Sequence, residues 1–297
     1  MTLEHRISRR PPSTGCVGRP TSNGIVLAAA DPLAFDPAPV RFAAGVAGRT
    51  GAHLTIVAVF GDDGAATTLA AGQNGEDLVD DPAATLERAV RIARDEGVEA
   101  EPLAVAATRA PRGLALAATE LGAELMVVGS GNGVPCGQVR PGATAERLLN
   151  GSPSAIALVP AGWAPRDFAA IGAGFLDSAE GRAAVRTAHA LAASSGARLR
   201  VLAAVRPRAW CRAGAAELRE QAETAAAAAV SGLAGAPVDV DVSVAEPAEL
   251  LVAVSGELDL LVCGTRGYGP RPAALLGGVT RALCAQARCP VVVLSGA

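Results

Sequence analysis

The feature that most constrains this chain is an internal repeat. The segment ELMVVGSGNGVPCGQVRPGATAERLLNGSPSAIALV (residues 124–159) aligns without a gap on DLLVCGTRGYGPRPAALLGGVTRALCAQARCPVVVL (residues 259–294). Earlier in the chain, GAHLTIVAVF (51–60) matches GARLRVLAAV (196–205). Self-similarity of this kind indicates two copies of one structural unit. The sequence therefore predicts a tandem duplication, joined near residues 160–166.

Within each copy, short apolar runs alternate with helical patterns. Buried Val, Leu and Ala strands separated by helices favour right-handed βαβ units and a parallel sheet. We therefore expect two tandem three-layer α/β/α domains, each with a five-stranded, mainly parallel sheet. In the second copy the pattern predicts strands at 168–175, 198–205, 237–244, 258–264 and 290–295, and helices at 179–194, 214–233, after Pro247 and at 278–286.

The repeat also sets the expected organisation of the chain. The first domain is predicted over residues 21–160 and the second over 167–297, with a linker at 161–166. Residues 1–20 are rich in Pro, Arg and Gly, so they are predicted to form a disordered tail. The apolar terminal strands SAIALV and CPVVVL would leave exposed sheet edges unless they pair. We therefore expect the two domains to form an internal pseudo-dimer, with a homodimer of the chain as a further option.

Composition narrows the range of partners and compartments. Hydrophobic residues make up 50% of the chain and aromatics only 3%, so Ala, Val and Leu must build the core. The net charge of −3, without a basic stripe after the first twenty residues, argues against nucleic acid and anionic membranes as partners. No apolar run is long enough to span a membrane. The N-terminus lacks an apolar signal segment and no cysteines form a Cys-x-x-Cys pair, which predicts a cytoplasmic protein with free thiols.

Several enzyme classes are excluded by missing residues. The chain contains no lysine, which a Walker A loop and a Schiff-base enzyme both require. With three histidines and no Cys-x-x-Cys pair, a zinc site is not expected. No GxSxG elbow is present, and the glycine-rich loop is not GxGxxG. Because no general base for hydrolysis is evident, we expect a protein that is not an enzyme, with slow ATP hydrolysis at most.

The strongest candidate for a binding site is the glycine-rich loop of the second copy. Gly264 ends an apolar strand and is followed by Gly267 and, after nine further residues, by Gly277. Glycines let backbone N–H groups approach an anion, and the N-terminus of the next helix adds free donors and partial positive charge. Arg266 and Arg271 would add charged contacts to phosphate. The alternative, that these glycines only permit turns, stays open at this point.

This loop resembles that of the universal stress protein family, and domain-level similarity covers residues 21–297. Such domains have an Asp at the end of their first strand, here Asp177, and a loop of Gly, two residues, Gly, nine residues, Gly, then Ser or Thr. The resemblance implies that the loop and helix hold ATP phosphates, often with a divalent metal such as Mg²⁺ or Mn²⁺, and that the Asp contacts the nucleoside. The hydroxyl position is Gly278, a departure from the pattern. The implied nucleotide-binding residues are Asp177, Ala204, Cys263, Gly264, Gly267, Gly277, Gly278, Val279 and Thr280.

The first copy matches the family pattern less well. Asn132 stands at the second glycine position and Ala143 at the hydroxyl position, although Thr144 follows. We therefore expect a structural copy that binds nucleotide scarcely at all. An Asp after a strand also commonly caps the next helix, which is an alternative role for the Asp of either copy. The weaker candidate site residues of this copy are Asp31, Gly129, Gly142, Ala143 and Thr144.

Three functions remain open from the sequence. The leading one is a tandem universal stress protein that binds ATP in its second domain and acts as a regulatory or protective module. The second is a structural stress protein without a ligand, which the missing Ser or Thr in both loops favours. The third is an enzyme on the same fold, such as an adenylating or pyrophosphate-releasing nucleotide transferase, for which no catalytic signature is present.

Overall fold

A computed structural model describes residues 24–61, 81–206, 214–264 and 276–294. The predicted tail over residues 1–20 and the candidate Gly267 lie outside these ranges. The first half of the chain, residues 24–160, contains β1 (Ile25–Ala29), α1 (Ala38–Thr50), β2 (His53–Phe60), α2 (Pro82–Asp95), β3 (Ala100–Ala106), α3 (Ala110–Leu121), β4 (Leu125–Gly129), α4 (Ala143–Leu149) and β5 (Ala155–Val159).

The second half, residues 167–294, repeats this order of elements. It contains β6 (Ala170–Phe175), α5 (Ala179–Ser195), β7 (Arg198–Val205), α6 (Ala215–Val230), β8 (Val238–Val244), α7 (Pro247–Val254), a 3-10 turn (Ser255–Glu257), β9 (Leu260–Gly264), α8 (Gly278–Gln286) and β10 (Val291–Leu294). The predicted strands and helices of this half are all present, with ends that differ by a few residues.

The ten strands form one sheet in the order β3-β2-β1-β4-β5-β10-β9-β6-β7-β8. All neighbours within each half are parallel. Strands β5 and β10 pair antiparallel and join the halves, with Ala157 opposite Val292. The terminal strands therefore cover each other's apolar edges, as the sequence predicts for an internal pseudo-dimer.

Helices cover both faces of this sheet and complete three layers. Helices α1, α2, α5 and α6 bury residues such as Phe42 and Val185 in a core on one face. Helices α3, α4, α7 and α8 bury residues such as Leu114 and Leu283 in a core on the other. Both cores run through the two halves. The three-layer α/β/α prediction is confirmed, with the qualification that the two five-stranded sheets are continuous.

The reversal of strand order places a crevice in each half. In the first half β1 lies between β2 and β4, and in the second β6 lies between β7 and β9. The carboxyl ends of such diverging strands form the usual ligand site of an open parallel sheet. Asp31 follows β1 and the glycine-rich loop of the first half follows β4. Asp177 and Gly264 occupy the matching places after β6 and β9.

The junction between the halves is packed against the first core. The Trp163 and Phe42 rings meet edge to face, with their centroids 5.4 Å apart. The Arg49 guanidinium lies 4.6 Å from the centre of the Phe168 ring. Arg166 forms an ion pair of 2.9 Å with Asp259, which precedes β9. These contacts fix the start of the second half against helix α1. Among the described residues, no helix has the length and apolarity needed to cross a membrane.

Candidate functional site

Five of the predicted nucleotide-binding residues line one small cavity at the carboxyl edge of the second half. This second-half crevice holds about 50 Å³ within its described walls. Its lining includes Ala204 at the end of β7, Cys263 and Gly264 at the end of β9, and Val279 and Thr280 in the first turn of α8. The structure therefore brings together residues from three elements that the sequence separates by up to 76 positions (204 to 280).

Asp177 lies beside this crevice, with its side chain about half exposed. Its carboxylate forms an ion pair with Arg182, one turn into α5. The capping role that the sequence left open for Asp177 belongs to Ser178, whose Oγ accepts a hydrogen bond of 3.1 Å from the Gly181 N–H. Asp177 therefore does not cap α5.

Gly264 is required by the packing of β9 against the start of α5. A Cβ at this position would lie 2.8 Å from the Cβ of Glu180 and 3.5 Å from the Glu180 backbone carbon. Real side chains do not approach so closely without displacement. The glycine therefore has a packing reason that is independent of any phosphate, and both roles are compatible with one residue.

Thr280 is committed to the structure of the loop. Its hydroxyl donates a 3.0 Å hydrogen bond to the carbonyl of Gly264, and the residue is only 2% exposed. The bond ties the end of β9 to the first turn of α8. Thr280 therefore does not offer a spare hydroxyl to replace the one missing at Gly278.

No described side chain caps the N-terminus of α8. Gly277 is its N-cap and has no side chain to accept hydrogen bonds from the first turn, which also contains no acidic residue. The first N–H groups of a helix have no acceptor within it, so they attract an anion. No described atom lies within 4 Å of the place that a Cβ at Gly278 would take, and Gly278 has no positive φ. This end of the helix is therefore open to a ligand.

Three buried thiols lie on β9, on α8 and just before β10, and the first of them, Cys263, lines the crevice. Burial raises the pKa of Cys263 far above its usual value, and it raises the pKa of Cys284 and of Cys289 to about 12. Loss of hydration disfavours the thiolate at each site. These cysteines are therefore neutral packing residues at physiological pH and lack the reactivity of a nucleophile.

The larger cavity lies in the first half, at the matching switch point. This first-half cleft has a volume of about 820 Å³. All five of the weaker candidates line it: Asp31, Gly129, Gly142, Ala143 and Thr144. The half that the sequence treats as a structural copy therefore contains a cleft of the size that small-molecule sites have.

The start of the first helix in each half explains the difference in volume. Helix α5 begins at Ala179, almost directly after its strand, and its first turn packs on Gly264. Helix α1 begins only at Ala38, and residues 31–37 cross the edge of the sheet without helical structure. Pro32 and Pro37 disfavour helical backbone at the residues before them. The missing turns leave open the space that α5 fills in the second half.

Several N–H groups of the glycine-rich loop of the first half donate to the protein itself. Gly131 donates to the carbonyl of Arg140 at 2.8 Å, and Arg140 donates to the Ser130 hydroxyl at 3.3 Å. The loop also donates to the chain that leaves β5, through Gly137, and to the second half, through Val139. Pro135 and Pro141 have no N–H to offer. The N–H groups of Asn132, Gly133 and Gly142, which line the cleft, have no described acceptor, so the loop retains backbone donors there.

Two residues of the cleft were missed by the sequence reasoning. Arg109 is the N-cap of α3 and Arg147 lies in α4, and both line the first-half cleft. Neither forms an ion pair with a described residue. An isolated arginine gives no sequence signal, since most are solvated surface residues. Their position in the sequence could have indicated them. Arg109 follows β3 and Arg147 follows the glycine-rich loop, and both therefore lie at the sheet edge where ligands usually bind. No cluster of three or more potential metal ligands occurs among the described residues.

Comparisons with known proteins identify relatives of both halves. The model of the universal stress protein family matches residues 23–160 and again residues 168–295. A putative universal stress protein from Pseudomonas aeruginosa UCBPP-PA14 superposes with a TM-score of 0.65 at 16% identity, over 92% of this chain and 93% of the other. One from Archaeoglobus fulgidus DSM 4304 gives 0.66 at 16% identity, over 93% and 99%.

A protein of unknown function from Pseudomonas aeruginosa PAO1 has the same fold, with a TM-score of 0.67 at 17% identity over 92% of each chain. No curated protein matches the chain. At these identities the structural matches establish the two-domain fold. They do not identify a ligand or an activity.

Proposed function

The chain belongs to the universal stress protein family, with one domain in each half, and from that premise we propose that it binds ATP in the second half as a regulatory or protective module. The observation that carries the proposal is the uncapped N-terminus of α8, which begins at the switch-point crevice directly after the family loop. The first N–H groups of such a helix attract an anion, and the family loop pattern implies phosphate at this position.

The other described residues of the second-half crevice provide groups for both parts of a nucleotide, the nucleoside and the phosphates. Asp177 forms an ion pair with Arg182 and does not cap the helix. It follows β6 at the place where the family pattern implies contact with the nucleoside. Ala204 and Leu251 provide apolar surface in the crevice between β7 and α7. The phosphates would lie toward Gly277 and Gly278, and a bound Mg²⁺ or Mn²⁺ would neutralise part of their charge. Residues 265–275, with Gly267, complete the proposed site and lie outside the described residues.

A structural role without nucleotide is the second candidate. Two observations favour it: the described walls of the crevice enclose only about 50 Å³, and the hydroxyl of Thr280 is already used by Gly264. In neither proposal is the chain an enzyme.

Calorimetric titration of the intact chain with ATP and Mg²⁺ separates these candidates. The nucleotide proposal predicts saturable binding of one ATP per chain. Absence of binding at millimolar ATP would favour the structural role, and two equivalent sites per chain would contradict the assignment to the second half.

The substitution Gly278→Ser should tighten ATP binding. The seryl hydroxyl restores a hydrogen bond to a charged phosphate, which is worth about 1.5–3 kcal/mol. That corresponds to a roughly tenfold to hundredfold lower Kd. The position has open space and no positive φ, so the side chain fits without strain. If the variant folds normally and binds ATP no more tightly in the same titration, the hydroxyl position has been misassigned.

A further inference from the structure

We propose that the free edge of β8 is a docking site for an extended segment of a partner protein in which apolar and basic residues alternate. The segment adds to the sheet as a further strand beside β8, at the end of the sheet remote from the first half. The inference concerns a different surface and a different class of ligand from the nucleotide proposal, and it does not depend on ATP binding. It rests on the backbone of β8, on a groove beside it and on the charges of the edge.

The backbone of β8 presents unpaired hydrogen-bonding groups along one side. At one end of its pairing with β7 the Leu199 N–H donates to the Pro237 carbonyl, and at the other the Ala245 N–H donates to the Val205 carbonyl. The odd-numbered residues of β8 therefore turn their backbone groups toward β7, and the even-numbered ones turn theirs outward. These outward residues are Val238, Val240, Val242 and Val244. Because β8 is the last strand of the described sheet, their N–H and C=O groups meet no neighbouring strand.

The opposite edge of the sheet, at β3, is blocked by a proline. The Ala107 N–H donates to the Phe60 carbonyl, so the even-numbered residues of β3 are the outward ones. One of them is Pro102, which has no N–H to offer and whose ring obstructs a neighbouring strand. In the pairing with the preceding strand, Pro102 occupies the position that Val240 has in β8. The described sheet therefore has one edge closed to further strands and one edge open to them.

A groove of about 480 Å³ lies beside the open edge. Its apolar lining includes Ala227 of α6 and Val242 of β8 on one face of the sheet, and Leu250 and Val254 of α7 on the other. Val244, at the end of the strand, is 52% exposed, whereas the large apolar side chains of the described residues are mostly buried. A strand added here removes apolar surface from water on both faces of the sheet, which favours binding.

The charged side chains of the edge determine the chemistry of the segment. Asp239 and Asp241 are 45% and 44% exposed and pair with Arg198 and Arg200, which lie on the inner strand β7. An incoming strand therefore meets the two carboxylates before the two guanidinium groups, and Glu257 adds a third carboxylate on this face. Arginine or lysine opposite each aspartate supplies the opposite charge, and its aliphatic stem covers the apolar side chains of α7.

The same aspartates disfavour a second copy of the chain as the occupant. Antiparallel pairing of two β8 strands over their full length places Asp241 opposite the same residue of the other copy. Like charges directly opposite each other in a sheet are destabilising. The edge is therefore protected from pairing with itself and open to a strand of opposite charge.

Binding is tested by fluorescence anisotropy on the intact chain with a labelled, end-capped peptide that alternates four valines with three arginines. In antiparallel pairing its valines lie opposite the outward valines of β8 and exchange hydrogen bonds with them. We expect saturable binding of one peptide per chain. The same peptide N-methylated on its valines keeps its charge but loses these donors, so it should bind at least about tenfold more weakly.

Two proline variants locate the peptide on the sheet. Val240→Pro places a proline where β3 has Pro102, so the fold should be kept. It should raise the Kd of the peptide at least about tenfold, because an outward N–H is lost and the ring obstructs the added strand. Ala104→Pro is the matched control, since it makes the same change at an outward position of β3, and it should leave the Kd unchanged.

Charge preference is tested with the double substitution Asp239→Asn and Asp241→Asn. It should raise the Kd of the arginine peptide about fivefold, because two exposed ion pairs are lost. A peptide with glutamate in place of arginine should bind this variant more tightly than it binds the unaltered chain, since Arg198 and Arg200 are then no longer balanced by the two aspartates.

The proposal is overturned if the N-methylated peptide binds as well as the unmodified one, or if Val240→Pro leaves the Kd unchanged. A dimer of the intact chain that Val240→Pro converts to a monomer would also overturn it, because the edge would then be occupied by a second copy. None of these results depends on the outcome of the ATP titration, so the two proposals can fail separately.

Discussion

The free energy of unfolding should fall steeply above pH 9. The pKa values of Cys263, Cys284 and Cys289 are raised by burial in the folded chain from an ordinary value of 9.0. Above pH 9 the unfolded chain therefore loses thiol protons that the folded chain keeps. The stabilisation is complete below pH 9 and is lost as the pH rises toward 12. Each thiol accounts for about 1.4 kcal/mol per pH unit, so the three together account for about 4 kcal/mol near pH 10.

Urea unfolding between pH 8 and pH 10.5, with a reductant present, measures this slope. Replacing the three buried cysteines with alanine lowers the stability at every pH, but it should flatten the alkaline decline. Cys136 is exposed, so Cys136→Ala serves as the control and should keep the original slope. An equally steep decline in the triple variant would show that other groups cause it.

Residues 166–297 expressed alone should form a homodimer. Without the first half, β10 loses its antiparallel neighbour β5, and backbone groups from Val291 to Val293 lose their partners. These residues are at most 3% exposed in the intact chain. An uncovered apolar edge strand pairs readily with a second copy of itself. The antiparallel direction of the β5–β10 pair is the one that a two-fold dimer requires.

Sedimentation equilibrium of residues 166–297 should give twice the mass of this fragment. Addition of the separately expressed residues 24–160 should convert the homodimer to a heterodimer, because β5 is the natural partner of β10. A well-behaved monomer at high concentration would contradict the view that the two halves are held together mainly through this edge.

Most of the fold could be predicted from the sequence because it depends on local patterns and on the repeat. The run IVLAA predicts β1 because a short, continuous apolar run is typical of a strand buried on both faces. The repeat offset then places β9 and β10 on β4 and β5. The pairing of β5 with β10 could be predicted for a similar reason. The last strand of each repeat is a continuous apolar run, and its edge would be exposed if it did not pair. These are properties of short segments and of their spacing.

The unequal cavities could not be predicted in the same way. Pro32 and Pro37 disfavour helical backbone at the residues before them. The cleft, however, depends on which element would otherwise pack there, and this is set by the assembled fold. The close contact of Glu180 with Gly264 joins residues far apart in the chain, and only the assembled sheet shows it. The bond from Thr280 to Gly264 is similar, because a threonine two places beyond the expected hydroxyl can face either the loop or the ligand.

The most direct test of the central claim, that the second half holds ATP at the start of α8, is calorimetric titration of two matched variants. Gly278→Asp places a carboxylate where the phosphates are proposed to lie. Asp is favourable in the first turn of a helix, so folding should be retained. Repulsion should weaken ATP binding by about fivefold to several hundredfold, since two like charges 4 Å apart near a surface cost roughly 1–4 kcal/mol. Ala143→Asp, the same change in the first half, should leave the Kd for ATP unaltered. Equal losses in both variants, or full binding by Gly278→Asp, would contradict the account.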